Sequence, residues 1–276
     1  ASPDATYKPL TGDDKAAASQ LRRRNRDAAR GMVGDLFSSS GPAELPPSAE
    51  SLDSLPENTL ADVEAKREAW EQAQSAYAQA PARLLADLFC AAFFAPKTTT
   101  NWEQIPTNED LMRVRAGQSQ RPGVAELTRQ LADTFNFFHW HLAFPEVLAA
   151  GGFDVVLANP PWEVSQLSEE EFFASRLPEV SALSGVARKR AIEGLATEQP
   201  GLWSEFLTAK RGFETSSGFF RESGRYALTA TGKLNLYALF AEAIAQLIGN
   251  RGAAGVVVPT GIATDDSTKA FFSAIS

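Results

Sequence analysis

Residues 153–162, FDVVLANPPW, constrain the fold of this chain more than any other stretch. Phe153–Ala158 is short, apolar and β-branched, follows Gly151-Gly152 and stops at Asn-Pro, which predicts a buried parallel strand. Pro160 and Pro161 have no backbone N–H, so a sheet ladder cannot run on through them. A parallel strand needs a partner reached through a helical crossover. Both are legible downstream. LNLYALFAEAIAQLIG (234–249) reads as a helix stopped by Gly249 and Gly252, and AAGVVVPTG (253–261) as a second buried strand closed by proline and glycine. The expected class is α/β, with too few strands for a complete doubly wound sheet.

The first 150 residues have a different texture. DDKAAASQLRRRNRDAARGMVGDLF is Ala/Arg-rich and favours helix, and residues 38–57 read as a Ser/Pro-rich linker. Asn58 or Thr59 can cap a helical stretch that runs to about 97, with Val63, Trp70 and Tyr77 at heptad-like spacing and a division near Pro81. A short helix is expected over 107–115, another through 123–148, and mixed helix and loop over 166–230 with breaks at Pro178, Pro200 and TSSG (215–218). The expected organisation is a mainly helical insertion or accessory region over 1–150 and a sheet-bearing half over 151–276.

Hydrophobic residues make up 44% of the chain, enough for a core, and no apolar run approaches the length that spans a bilayer. A single cysteine, Cys90, rules out an internal disulfide; with no secretory signal at the N-terminus, this fits a cytoplasmic protein. The formal net charge of −8 argues against a general nucleic-acid coat protein but leaves room for one basic face.

Asn159-Pro160-Pro161-Trp162 carries the chemistry. The carboxyl end of a parallel strand is where α/β folds place ligands. There the Asn159 side-chain oxygen can accept one hydrogen of an amino group, and the Pro160 carbonyl, aimed by a fixed φ, can accept the other. Two acceptors on one exocyclic NH2 draw its hydrogens out of conjugation with the ring and free the nitrogen lone pair to attack a sulfonium methyl group. Trp162 offers a face on which an extruded base can stack. A chance match to Asn/Asp-Pro-Pro-aromatic in a chain of this length is expected roughly one time in a hundred.

These residues resemble the catalytic motif of amino-group DNA methyltransferases. FHWHLAFPEV (138–147), GKLNLYALFAEAIAQLI (232–248) and GVVVPTGIATDDSTKAFF (255–272) are similar to the surrounding segments of the large adenine-specific enzymes of restriction–modification and related phage-defence systems. The resemblance implies part of a Rossmann-like class I sheet that uses S-adenosylmethionine, with double-stranded DNA as the partner. It assigns Asn159, Pro160, Pro161 and Trp162 to the target adenine, puts the strand ending at Pro259-Thr260-Gly261 beside the same pocket, and brings Asn235 and Tyr237 to the cofactor. RNA guanine and protein glutamine methyltransferases share the motif, because each acceptor is a planar amine or amide. A non-catalytic DNA-binding module that keeps a remnant of the motif is the non-enzymatic alternative.

The family's glycine-rich cofactor turn, expected after an earlier strand, has no counterpart in 1–150; GMVGDLF (31–37) has no strand before it. With Ala1 at the start and FFSAIS at the end, the chain is expected to be a piece of a longer enzyme and to turn over poorly alone. Residues 186–225 hold seven basic side chains against five acidic ones, and Arg188, Lys189, Arg190, Lys210 and Arg211 are candidates for the DNA backbone. The Arg22-Arg23-Arg24 run, with Arg26 and Arg30, suits phosphate contacts or a solvated helix face equally. No metal is expected: His139 and His141, with Glu146 nearby, sit among aromatics and read as packing. Cys90 reads as a buried small residue, and Glu169–Glu171 as a first helical turn capped by Ser168.

Overall fold

The computed structural model describes residues 2–35, 52 and 54–276. Most of the expected linker, 38–51 and 53, lies outside the described residues. The N-terminal half is helical: a 3-10 turn at Asp4–Tyr7, then α1 (Lys15–Asp35), α2 (Leu60–Gln79), α3 (Pro81–Phe94), α4 (Asn108–Arg115), α5 (Val124–Phe135), α6 (Trp140–Ala143) and α7 (Pro145–Ala149). Thr59 caps α2 by accepting from the Asp62 amide, while the Asp62 carboxylate accepts from the Thr59 amide. Extended backbone at Ala80 divides α2 from α3 just ahead of Pro81. The core of this half joins Tyr7, Leu21, Ala91, Ala92, Ile105 and Leu131.

The helix expected through 123–148 is broken. Asn136 takes a left-handed conformation (φ 51°) and its amide bonds back to Ala132, ending α5, and the aromatic run then folds as two short helices. A second correction concerns 215–218, which does not interrupt the chain. These residues lie inside α11 (Pro200–Glu222), where the Thr215 and Ser216 hydroxyls donate to carbonyls of the preceding turn. Pro178 and Pro200 do mark boundaries, as the first residues of α9 (Pro178–Ser181) and α11, with α8 (Glu169–Ala174) and α10 (Gly185–Glu198) completing this cluster. Phe173, Val180, Ile192, Leu195 and Phe206 form its core.

β1 (Phe153–Ala158) and β2 (Ile248–Val256) pair in parallel, with α12 (Leu236–Leu247) leading directly into β2. The register sets Phe153 against Ile248 but Val155 against Ala253, so residues 249–252 bulge out of the ladder. Glycine is required here: a Cβ on Gly252 would lie 2.4 Å from the Phe153 carbonyl oxygen. β2 therefore starts at Ile248 rather than at 253 as expected. The strands are not buried, contrary to the reading of their apolar composition. Val155 and Leu157 are 62% and 79% exposed, because two strands alone leave most of both faces without a covering layer. α13 (Gly261–Thr264) and α14 (Lys269–Ile275) close the chain.

The two halves interlock through α11. Arg211 donates to the Asp13 carboxylate at 2.6 Å and to the carbonyls of Thr11 and Ala95; Thr11 in turn donates to Glu214. Phe93 and Phe219 meet edge to face at 5.4 Å. No described helix is long and apolar enough to cross a membrane.

Candidate active site

Because β1 and β2 run parallel, their carboxyl ends open on the same side. The ladder ends where the Val257 amide donates to the Ala158 carbonyl at 3.0 Å. One residue further, Asn159 is exposed and Pro160 is buried. Among the described residues no hydrogen bond reaches either the Asn159 side chain or the Pro160 carbonyl. Trp162, 55% exposed, donates its indole N–H to the Val257 carbonyl at 3.2 Å, so β2 sets the place of the ring while leaving much of its surface to solvent.

The chain after Trp162 is pinned to the start of α12. Leu236 donates to the Glu163 carbonyl and Ser165 to that of Leu234, with Val164 and Asn235 facing each other in an antiparallel bridge. This brings Asn235 close to the Asn-Pro-Pro-Trp segment. The Asn235 amide nitrogen lies 3.5 Å from the Tyr237 hydroxyl, which lies 3.5 Å from the Asp265 carboxylate. Burial first, then the Asp265 charge, pushes the Tyr237 phenol above its ordinary range, so it stays a neutral donor. Gly261 lets this cluster close, since a Cβ there would lie 2.7 Å from Asp265 and 2.8 Å from the Tyr237 hydroxyl. Asp265 and the Val257 carbonyl were missed from sequence. The signal for Asp265 was its place four residues after Gly261, one helical turn on.

The basic candidates divide. Arg211 is turned inward to Asp13, Thr11 and Ala95, and Arg188 donates to Ser181 and Glu170. Lys189, Arg190 and Lys210 are exposed. In the N-terminal run, Arg24 pairs with Glu109, Arg26 with Asp4 and Arg30 with Asp27. The buried His139 ring bonds to Asp87 at 2.7 Å, and no group of three or more His, Cys, Asp or Glu converges as for a metal among the described residues. Cys90 is buried, and desolvation pushes its thiol up to about 12, far from a nucleophilic thiolate.

The site is thus an open, acceptor-bearing rim at the carboxyl ends of a parallel pair, the place where α/β proteins receive planar ligands. Residues 63–185 match the family described as Eco57I restriction-modification methylase. The match takes in Asn159–Trp162, covers less than half of the chain, and supports a methyltransferase of the restriction–modification type. No curated protein and no solved structure matches the chain. Neither described strand ends in a glycine-rich turn feeding a long helix: β1 runs into Asn159-Pro160-Pro161 and β2 into Val258-Pro259-Thr260. The described residues by themselves do not make a cradle for S-adenosylmethionine.

Proposed function

We propose that this chain supplies the amine-binding half of a site-specific DNA adenine methyltransferase of a restriction–modification or phage-defence system. The methyl group comes from S-adenosylmethionine and goes to the exocyclic amino group of adenine. The observation that carries this reading is the pair of acceptors without a partner among the described residues, the Asn159 side chain and the Pro160 carbonyl, beside an exposed indole at the end of β1.

An adenine rotated out of double-stranded DNA stacks on Trp162 and presents its NH2 to the two oxygens. With the donor bound, the nitrogen would bond to the methyl group as the methyl–sulfur bond breaks and a neutral thioether leaves. The nitrogen would gain positive charge, so both hydrogen bonds would strengthen on the way to the transition state, and interactions of that kind accelerate the reaction rather than merely tighten binding. No general base is required, because the extra proton leaves a strongly acidic ammonium-like nitrogen for water. Lys189, Arg190 and Lys210 are suited to the DNA backbone. The outer edges of β1 and β2 are suited to further strands and their uncovered faces to helices of the enzyme, which would hold the methyl donor near Asn235 and Tyr237.

The test is transfer of labelled methyl groups by the enzyme that contains this chain, offered DNA, RNA and protein. Label should enter DNA adenine. Asn159→Ala should lower kcat by at least about 100-fold, the usual cost of removing one preorganised hydrogen-bonding group from a transition state, with DNA binding retained. Full activity in that variant would sink the reading, and label in RNA or protein alone would move it to the corresponding amine or amide acceptor.

A further inference from the structure

Away from the rim, a cavity of about 480 Å³ lies between α3, α4, the His139–Leu142 segment and the C-terminal end of α11. That is within the size range of small-ligand sites. Its lining contains Arg115, Arg225, His139 and His141, with Phe89 and Phe219 among the apolar residues, and no carboxylate.

The lining places two arginines together without an acid in an acidic protein. The chain has 34 Asp and Glu against 26 Lys and Arg, and several arginines of the helical half are paired: Arg24 and Arg113 with Glu109, Arg83 with Asp87, Arg121 with Asp110, Arg129 with Glu126. Arg115 and Arg225 are exposed and have no carboxylate within ion-pair distance among the described residues. Asp87, the partner of the lining residue His139, is already committed, one oxygen to His139 and the other to Arg83. Burial together with the charges of His139 and Arg225 lowers the His141 pKa, as a net positive field at the cavity would.

Two uncompensated guanidiniums at the mouth of a roomy, partly aromatic cavity suit an anion that also carries a flat apolar part. Guanidinium groups bind phosphate oxygens in pairs, and phenyl rings give a base a face to stack on. We infer that this cavity is a second, separate site that binds a free nucleoside phosphate, with the phosphate held by Arg115 and Arg225 and the base against Phe89 and Phe219.

The test is calorimetric titration of the 276-residue chain with AMP, ATP, inorganic pyrophosphate, adenosine and a blunt DNA duplex. AMP and ATP should bind, adenosine at least about tenfold more weakly, and Arg115→Gln and Arg225→Gln should each weaken AMP by about fivefold or more, in line with the loss of one charge-assisted hydrogen bond. Both side chains are exposed, so the variants should keep the wild-type circular dichroism. Phe89→Leu should weaken AMP while leaving pyrophosphate unchanged. No heat from AMP or ATP up to about 5 mM, where even millimolar affinity registers, overturns the inference. So does binding that is indifferent to both arginines, or a duplex that displaces AMP and depends on the same two residues, which would make the cavity a DNA-backbone contact.

Discussion

Lys97 is a buried lysine whose charge is costly to hold. Its ammonium is fully buried, 3.6 Å from Asp13, and makes no hydrogen bond among the described residues. Desolvation lowers its pKa from 10.5 to about 8, with Asp13 offsetting part of that and Arg211 adding to it. Because the folded-state value is the lower one, the cost of holding the charged form is complete below pH 8 and is relieved between pH 8 and 10.5, where the unfolded chain still binds the proton and the native one has released it. Over that window the shift corresponds to on the order of 3 kcal/mol. Urea unfolding at stepped pH should show Lys97→Met gaining stability relative to the wild-type protein below pH 8, with the difference shrinking as pH rises to 10.5. Nothing in the sequence marks Lys97; a lysine between Pro96 and three threonines reads as loop surface, and only the arrival of Arg211 on α11 closes it in.

At the scale of elements, local chemistry was a good guide where it acted over a few residues. The Thr59 cap, the Pro81 division, the Asn108–Arg115 helix and the Ser168 cap all follow from side chains that satisfy backbone groups within one turn. It misled at 215–218, where small hydroxyl residues were read as a break; the hydroxyls bond back within α11, and packing against α3 keeps the helix whole. The bulge between Gly249 and Gly252 could not be foreseen, since it depends on a register shared with β1, 95 residues away at Phe153. That shared geometry gives a contrast between two glycines. Gly252→Val must push against the Phe153 carbonyl and should cost about 2 kcal/mol or more. Gly212→Ala, with open space around its Cβ inside α11, should instead stabilise by roughly 0.5–1 kcal/mol. Denaturant midpoints of the two variants, measured side by side, check both signs.

For the whole molecule, the decisive fact is the disparity between the helical clusters and the sheet. The helices bury their apolar residues around Tyr7 and around Phe173, whereas Val155 and Leu157 of the two-stranded sheet, and Val257 just past its end, are more than half exposed. Val155 and Leu157 alternate onto one face, so this is a continuous apolar strip, and strips of that kind associate. Sedimentation equilibrium should show self-association that rises with concentration and is reduced by Leu157→Glu; identical profiles for the two proteins would count against it. The sequence conveyed that these segments were strands and that the first stops at Asn-Pro. It could not convey their exposure, because apolar composition records what a strand is suited to meet, not what the chain itself provides. The bond from Trp162 to Val257 has one further consequence. The indole nitrogen is anchored to main chain rather than to a side chain, so substitutions around it can recolour the rim, in charge or polarity, while leaving that anchor in place.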